Sequence, residues 1–179
     1  MKIGLNIFYI LTILILPQVN SQTTGNRTVS INLPIVALLN IEPSSHINFS
    51  FSAPTEAGLK IISPAANETK WINYSSAITS GGSTRKVIAA VNPTIPGVNI
   101  KIKAGSATGI GGGTRGSPTP EKTLSATPQE IITGIGGAYT GNGINNGHKV
   151  TITLSVDESN YQNLISSSSE VTITYTITE

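Results

Sequence analysis

Residues Val171–Glu179 read VTITYTITE, and this stretch decides the fold class of the chain. Apolar residues alternate strictly with threonine, so an extended backbone would carry one apolar face and one threonine face. β-Branched and aromatic residues are also the types that strands favour. The segment therefore predicts a β-strand with one face buried against a core.

The same alternation recurs towards the N-terminus. It is clearest in His148–Val156, and Gly- or Pro-containing turns separate the shorter runs. Further strands are predicted at Val29–Ile35, Ile47–Phe51, Lys70–Ser75, Arg85–Val91, Val98–Lys103 and Gln129–Ile132. Many short strands with frequent turns predict an all-β fold, an Ig-like two-sheet antiparallel β-sandwich of about seven to nine strands. The side chains expected to line its core are Phe49, Phe51, Val150, Ile152, Leu154, Val171, Ile173 and Tyr175.

Two glycine-rich stretches interrupt this pattern. Ala104–Pro120 and Gly134–Gly147 carry few side chains that could anchor a buried path, so both are predicted to be exposed loops. Within them, Arg115, Tyr139 and Asn142 are the residues best suited to contact a ligand.

The N-terminus predicts export. Met1 and Lys2 precede the apolar run Ile7–Leu16, which Pro17 ends, in the order of a secretory signal peptide. The run is shorter than the ~20 residues that cross a bilayer. We predict a signal peptide at residues 1–21 and a single domain at 22–179, without a membrane span. The mature protein would be periplasmic, at the cell surface or extracellular.

The composition gives little support for catalysis or for nucleic-acid binding. Cysteine is absent, and 11 basic against 9 acidic residues leave no basic cluster. The segment Gly111–Gly116 fits a dinucleotide-binding pattern, but no helix is predicted after it. His46 and His148 have no metal-ligand spacing and are expected to be solvated. We therefore predict no enzymatic activity, no cofactor, no metal site and no nucleic-acid partner.

The order of these features resembles short secreted β-sandwich proteins of bacteria, the kind that includes pilin-like and spore-coat-like subunits. The segment Ile31–Pro43 is similar to the start of secreted proteins of the Bacteroidota. The residues that carry the resemblance are the strand Val29–Ile41, Trp71, the glycine stretch Gly134–Gly147 with Asn146-Gly147-His148, and the final strand Val171–Glu179. The resemblance implies an Ig-like sandwich with a surface or structural role, and it implies no catalytic residue.

Two functions remain open from the sequence. The first is a structural or adhesive surface subunit that polymerises by strand exchange, with Val29, Ile31, Leu33 and Ile35 as the exchanged apolar row. The alternative is a monomeric binding module for carbohydrate or another surface ligand, which would use the glycine-rich stretches. The expected partner is accordingly a second copy of the chain or a cell-surface ligand.

Overall fold

A computed structural model describes residues 24–179, so the predicted signal peptide lies outside the described residues. The chain divides between Asn32 and Leu33 into two structural units. The described part of the first unit, residues 24–32, is exposed and contains neither helix nor strand. The second unit, residues 33–179, contains all the strands of the described residues.

Residues 24–179 form nine strands and one short 3-10 helix at Glu158–Asn163. No helix in this part of the chain is long and apolar enough to cross a membrane. The strands are β1 (Val36–Glu42), β2 (Asn67–Ala77), β3 (Arg85–Asn92), β4 (Val98–Thr108), β5 (Gly112–Pro118), β6 (Lys122–Thr123), β7 (Gln129–Tyr139), β8 (Gly147–Val156) and β9 (Thr172–Thr178).

All nine strands are antiparallel to their neighbours and belong to one hydrogen-bonded sheet. Its order is β6-β4-β8-β2-β7-β3-β9, with β1 paired to β2 and β5 paired to β7. The pairs Ser75–Tyr139 and Ser76–Ala138 alone join β2 to β7, and so connect the β1-β2-β8-β4-β6 ladder to the β5-β7-β3-β9 ladder. The all-β class and the strand number are confirmed. A division into two separate sheets stays a prediction, because these two pairs make the sheet continuous.

The buried side chains of both ladders form one hydrophobic core. Val150 and Ile152 are buried as predicted. Five further predicted residues pack against the core while partly exposed: Phe49, Leu154, Val171 just before β9, and Ile173 and Tyr175 on β9. Phe51 is half-buried outside this set. The most enclosed apolar side chains lie on β2, β3, β4, β7 and β8, and besides Val150 they include Ile72, Val87, Ile102, Ile132 and Ile135, which were not predicted.

Two of the predicted strands are wrong. Ile47–Phe51 lies in an irregular segment between β1 and β2 that makes one isolated bridge, Ser52 to Ile62. The buried ammonium of Lys70 donates to the carbonyls of Pro43 and Ser45, which lie just before this range. Val29–Ile35 also belongs to no strand, since β1 begins at Val36.

The loop prediction is wrong for most of Ala104–Pro120 and for half of Gly134–Gly147. β4 and β5 leave a turn of three residues, 109–111, and β7 continues to Tyr139 before a true loop at residues 140–146. Gly113 has φ +80°, and a Cβ there would lie 2.2 Å from the carbonyl oxygen of Gly137. Glycine is therefore needed at this position, because β5 lies close against β7 at a register shift. A glycine-rich composition alone does not distinguish such a close strand pair from a loop.

Candidate functional site

The residues before β1 present an unpaired row of apolar side chains. Val29 and Ile31 are each 77% exposed, Leu33 is 84% exposed and Ile35 is 64% exposed. They alternate with Ser30, Asn32 and Pro34, so the period is that of a strand although no strand forms. Four exposed apolar residues in one such row are typical of a surface that binds a partner.

The last strand, β9, offers an edge of matching length. It pairs with β3 from Thr172–Asn92 to Thr178–Lys86, and no strand of the described chain pairs with its other side. β1 lies close to part of β9 without pairing with it, so the backbone groups on that side form no strand ladder within the described residues. β9 is seven residues long, as is Val29–Ile35, and at ~3.3 Å per residue both would span about 23 Å.

The inward side chains of β9 are incompletely covered. Ile173, Tyr175 and Ile177 pack against the core but remain partly exposed. Burial nevertheless raises the pKa of the Tyr175 hydroxyl, so the phenol is neutral at physiological pH. This edge thus combines free backbone groups with apolar side chains that a further strand could cover.

The structure brings together two of the three predicted ligand-contact residues. Tyr139, at the end of β7, and Asn142, in the following loop, line one groove. Arg115 lies outside that groove on β5, where it is half-buried and its guanidinium donates to the carbonyl of Thr108 (3.2 Å). Its side chain therefore supports the β4–β5 turn.

A buried polar network centred on His148 was missed from the sequence. His148 is 0% exposed, so the expectation of a solvated histidine is wrong, whereas His46 is exposed as expected. The His148 Nδ1 lies 2.8 Å from the carbonyl oxygen of Gly105, and Nε2 lies 3.0 Å from the Tyr74 hydroxyl and 3.1 Å from the carbonyl oxygen of Arg115. That hydroxyl donates to the carbonyl of Arg115. The network thus ties β8 to β2, β4 and β5.

The electrostatics of this network suit a structural role. Desolvation lowers the pKa of His148, and it raises the pKa of Tyr74, so both groups are neutral at pH 7. The alternation of β8 did carry a signal for this burial, because His148 is in phase with the inward Val150 and Ile152. In the partner strand β4, the register shifts between Ala104 and Ala107, next to the Gly105 carbonyl that the histidine ring contacts.

The remaining candidates for chemistry do not assemble into a centre. Within residues 24–179, no three His, Asp or Glu side chains are placed to hold a metal ion. Most of the glycine motif Gly111–Gly116 lies within β5, and no helix begins there. No family model, curated protein or solved structure matches the chain.

Proposed function

We propose that the protein is an exported structural subunit that assembles with copies of itself at the cell surface or outside the cell. In this proposal, the segment Val29–Ile35 of one copy adds as a strand to the free edge of β9 in another. The protein then acts by binding and assembly, without catalysis. The observation that carries the proposal is the exposed alternating row before β1 in a chain whose last strand has an unpaired edge.

The exposed row supports a donated strand for an energetic reason. Each aliphatic side chain of this size gains about 1.5–3 kcal/mol when it moves from water into an apolar site. Val29, Ile31, Leu33 and Ile35 are all at least 64% exposed, so little of that gain is realised within the described chain. A partner that covers one face of the segment would bury all four side chains together, because they share one strand face.

The β9 edge supports the role of acceptor. Strand addition satisfies main-chain hydrogen bonds along the edge, while alternate side chains of the added strand fill apolar positions. The partly exposed Ile173, Tyr175 and Ile177 provide such positions. Exposed edges otherwise tend to be blocked by charges. β9 carries threonine on its outward face and no charged residue between Thr172 and Thr178.

The export part of the proposal rests on residues 1–21. Their charged start, apolar run and Pro17 have the order of a cleaved signal peptide. Mass spectrometry of the protein recovered outside the producing cytoplasm should give a chain that starts at Gln22. Recovery of an intact Met1 from exported protein would contradict the signal peptide.

Sedimentation velocity of residues 22–179 tests the assembly. We expect multimers that grow with protein concentration from micromolar to millimolar, and fibres or arrays in electron micrographs. Deletion of residues 22–35 should leave a folded monomer, because every strand of the described chain lies within residues 36–178. Ile31→Asp with Leu33→Asp should likewise give a monomer, since two charges would be buried in the acceptor.

A matched control separates the apolar row from general effects of charge. Ser30→Asp with Asn32→Asp adds the same charges on the alternate face of the segment, and it should still assemble. A full-length protein that stays monomeric at millimolar concentration would contradict the proposal. Equal assembly by the deletion variant would also contradict it, because association would then use another surface.

A binding module is the second candidate function. It is favoured by the shared groove of Tyr139 and Asn142, which the first proposal does not use. A monomeric full-length protein that binds a soluble ligand at that groove would favour this alternative over the structural subunit.

A further inference from the structure

A shallow groove crosses the outward face of the sheet where β1, β2 and the end of β7 lie side by side. Its volume is about 380 Å³, within the range of small-molecule sites. Leu38 pairs with Ser75, and Ser75 pairs with Tyr139, so these side chains share one face across three strands. Gly141 and Asn142 close one side. The groove is formed without β9, and it is therefore independent of the proposed assembly edge.

The loop beside the groove is held in place by amide side chains. Asn73 is buried, its Nδ2 donates to the carbonyl of Asn146 (2.6 Å), and its Oδ1 accepts from the backbone N–H of Gly143 (2.8 Å). The Asn146 Nδ2 donates in turn to the carbonyl of Asn142 (2.8 Å). A ligand would therefore meet a largely pre-formed wall and would not have to order it, which lowers the cost of binding.

Three polar groups on the groove have no protein partner among residues 24–179. They are the hydroxyl of Ser75, the hydroxyl of Tyr139 and the side-chain amide of Asn142. Together they offer hydrogen-bond donors and acceptors, and none of them is charged. None of the residues that line the groove is acidic or basic. This chemistry fits an uncharged, hydroxyl-rich ligand.

The Tyr139 ring supplies the apolar part of the groove. It is 56% exposed, and it lies against Gly112, where a Cβ would come within 3.1 Å of the ring atom Cε1. Glycine at position 112 therefore lets the ring rest on the β5 backbone while much of its surface stays open. The exposed Leu38 adds a second apolar surface across the groove. An exposed aromatic with hydrogen-bonding groups beside it suits a ligand that has both an apolar and a polar side.

We infer that this groove binds a short neutral saccharide, with one sugar ring against Tyr139 and its hydroxyls bonded to Asn142 and Ser75. A sugar ring presents C–H groups on a face and hydroxyls around its rim, which are the two chemistries that the groove offers. The inference goes beyond self-assembly, since it gives the subunit a ligand of its own.

NMR titration of the full mature chain, residues 22–179, tests the inference. The probes are neutral tetrasaccharides of glucose, mannose, galactose, xylose and N-acetylglucosamine, together with the acidic tetrasaccharide of galacturonic acid. At least one neutral probe should shift the amide signals of Tyr139, Gly141 and Asn142. Tyr139→Ala should weaken that binding about tenfold, the change that corresponds to about 1.4 kcal/mol of lost contact. Tyr139→Phe should retain most of the binding.

Tyr161→Ala is the matched control, because Tyr161 is an exposed tyrosine on the 3-10 helix, outside the groove. It should leave the affinity unchanged. Three results would overturn the inference: no amide shift with any neutral probe, shifts that persist with equal affinity in Tyr139→Ala, or tighter binding of the acidic probe at the groove. Circular dichroism of Tyr139→Ala should match the parent, so that a loss of binding is not a loss of fold.

Discussion

The strand β8 and the segment Val29–Ile35 have nearly the same sequence pattern and opposite surroundings. Both alternate β-branched or leucine residues with polar or small ones. In β8, Val150 and Ile152 are 0% and 2% exposed because they pack in the hydrophobic core, and β2 and β4 pair with the two edges of the strand. In the segment, Val29 and Ile31 are each 77% exposed, and no strand forms.

The difference shows what alternation specifies. It sets which side chains share a face, but it does not provide a neighbouring strand. β8 finds its neighbours within the chain, while the described residues around the segment provide none. An apolar strand pattern without an internal neighbour is the reason for proposing that a second copy supplies one.

The largest expected effect comes from introducing one charge into β8, with one charge in the segment Val29–Ile35 for comparison. Ile152→Asp should unfold the protein, because it places a carboxylate in the core, where burial of an unpaired charge is strongly unfavourable. Ile31→Asp should change the free energy of unfolding by less than about 0.5 kcal/mol, as expected at an exposed position. Urea unfolding followed by circular dichroism measures both. A folded Ile152→Asp variant would refute the core assignment of β8.

Substitution of the glycine at the start of β8 should lower the free energy of unfolding by a smaller amount. Gly147 has φ +78°, and a Cβ there would lie 2.1 Å from the carbonyl oxygen of Ile72 on β2. Gly147→Ala should therefore cost about 1–2 kcal/mol of backbone strain and about 1–3 kcal/mol of crowding. Gly143 has φ +84° with nothing within 4 Å, so Gly143→Ala should cost the strain alone. Urea unfolding measures both variants. An equal loss in the free energy of unfolding for Gly147→Ala and Gly143→Ala would show that β8 does not approach β2 so closely.

The buried histidine of β8 gives a pH-dependent effect. Desolvation lowers the pKa of His148 below its ordinary 6.5, so the unfolded chain binds more protons than the folded chain just below that pH. The free energy of unfolding should consequently fall as the pH decreases from about 6.5, by up to about 1.4 kcal/mol per pH unit, until the folded pKa is reached. Above about 6.5 this contribution to stability is fully present.

Two variants isolate that slope. His148→Asn should cost about 1–3 kcal/mol through lost hydrogen bonds, and it should remove the slope between pH 6.5 and the carboxylate range. His46→Asn is the control, since His46 is the other histidine of the chain and is exposed. Asp157 and Glu158 contribute at lower pH, because hydrogen bonds lower their pKa values from 3.8 and 4.5. An unchanged slope in His148→Asn would show that another group carries it.

The sequence predicted where the strands lie better than it predicted which strands pair with one another. Alternation located the strands that contain Lys70–Ser75, Arg85–Val91, Val98–Lys103 and His148–Val156, and β-branched residues located the one that contains Gln129–Ile132. Alternation failed for Ile47–Phe51, which belongs to no strand. Composition failed for the glycine stretches, because the close approach of β5 to β7 requires glycine and depends on residues distant in sequence, which a local pattern does not contain.

The candidate site could likewise be predicted only in part from the sequence. Tyr139 and Asn142 could be selected as exposed polar or aromatic residues of a glycine-rich stretch, and they line one groove. The roles of Ser75 and Leu38 could not be foreseen, because they depend on the pairing of β1, β2 and β7. The free edge of β9 was also hidden, since an edge strand is defined by the absence of a neighbour and not by its own residues.

Disulfide trapping between two differently tagged copies tests the assembly most directly. The chain has no cysteine, so each introduced thiol is unique. Ser30 or Asn32 is replaced by cysteine in one copy, and Thr174 or Thr176 in the other, because all four lie on outward faces. Thr123→Cys on the edge strand β6 serves as the control acceptor.

Mixing the copies under mild oxidation should give a cross-link between the two tags that is stronger for β9 than for the Thr123→Cys control. A single chain that carries both cysteines should form the intermolecular link as its concentration rises. Exclusive formation of the intramolecular disulfide in that chain, with no cross-link between the tagged copies, would show that the segment completes its own sheet and would contradict assembly by strand exchange.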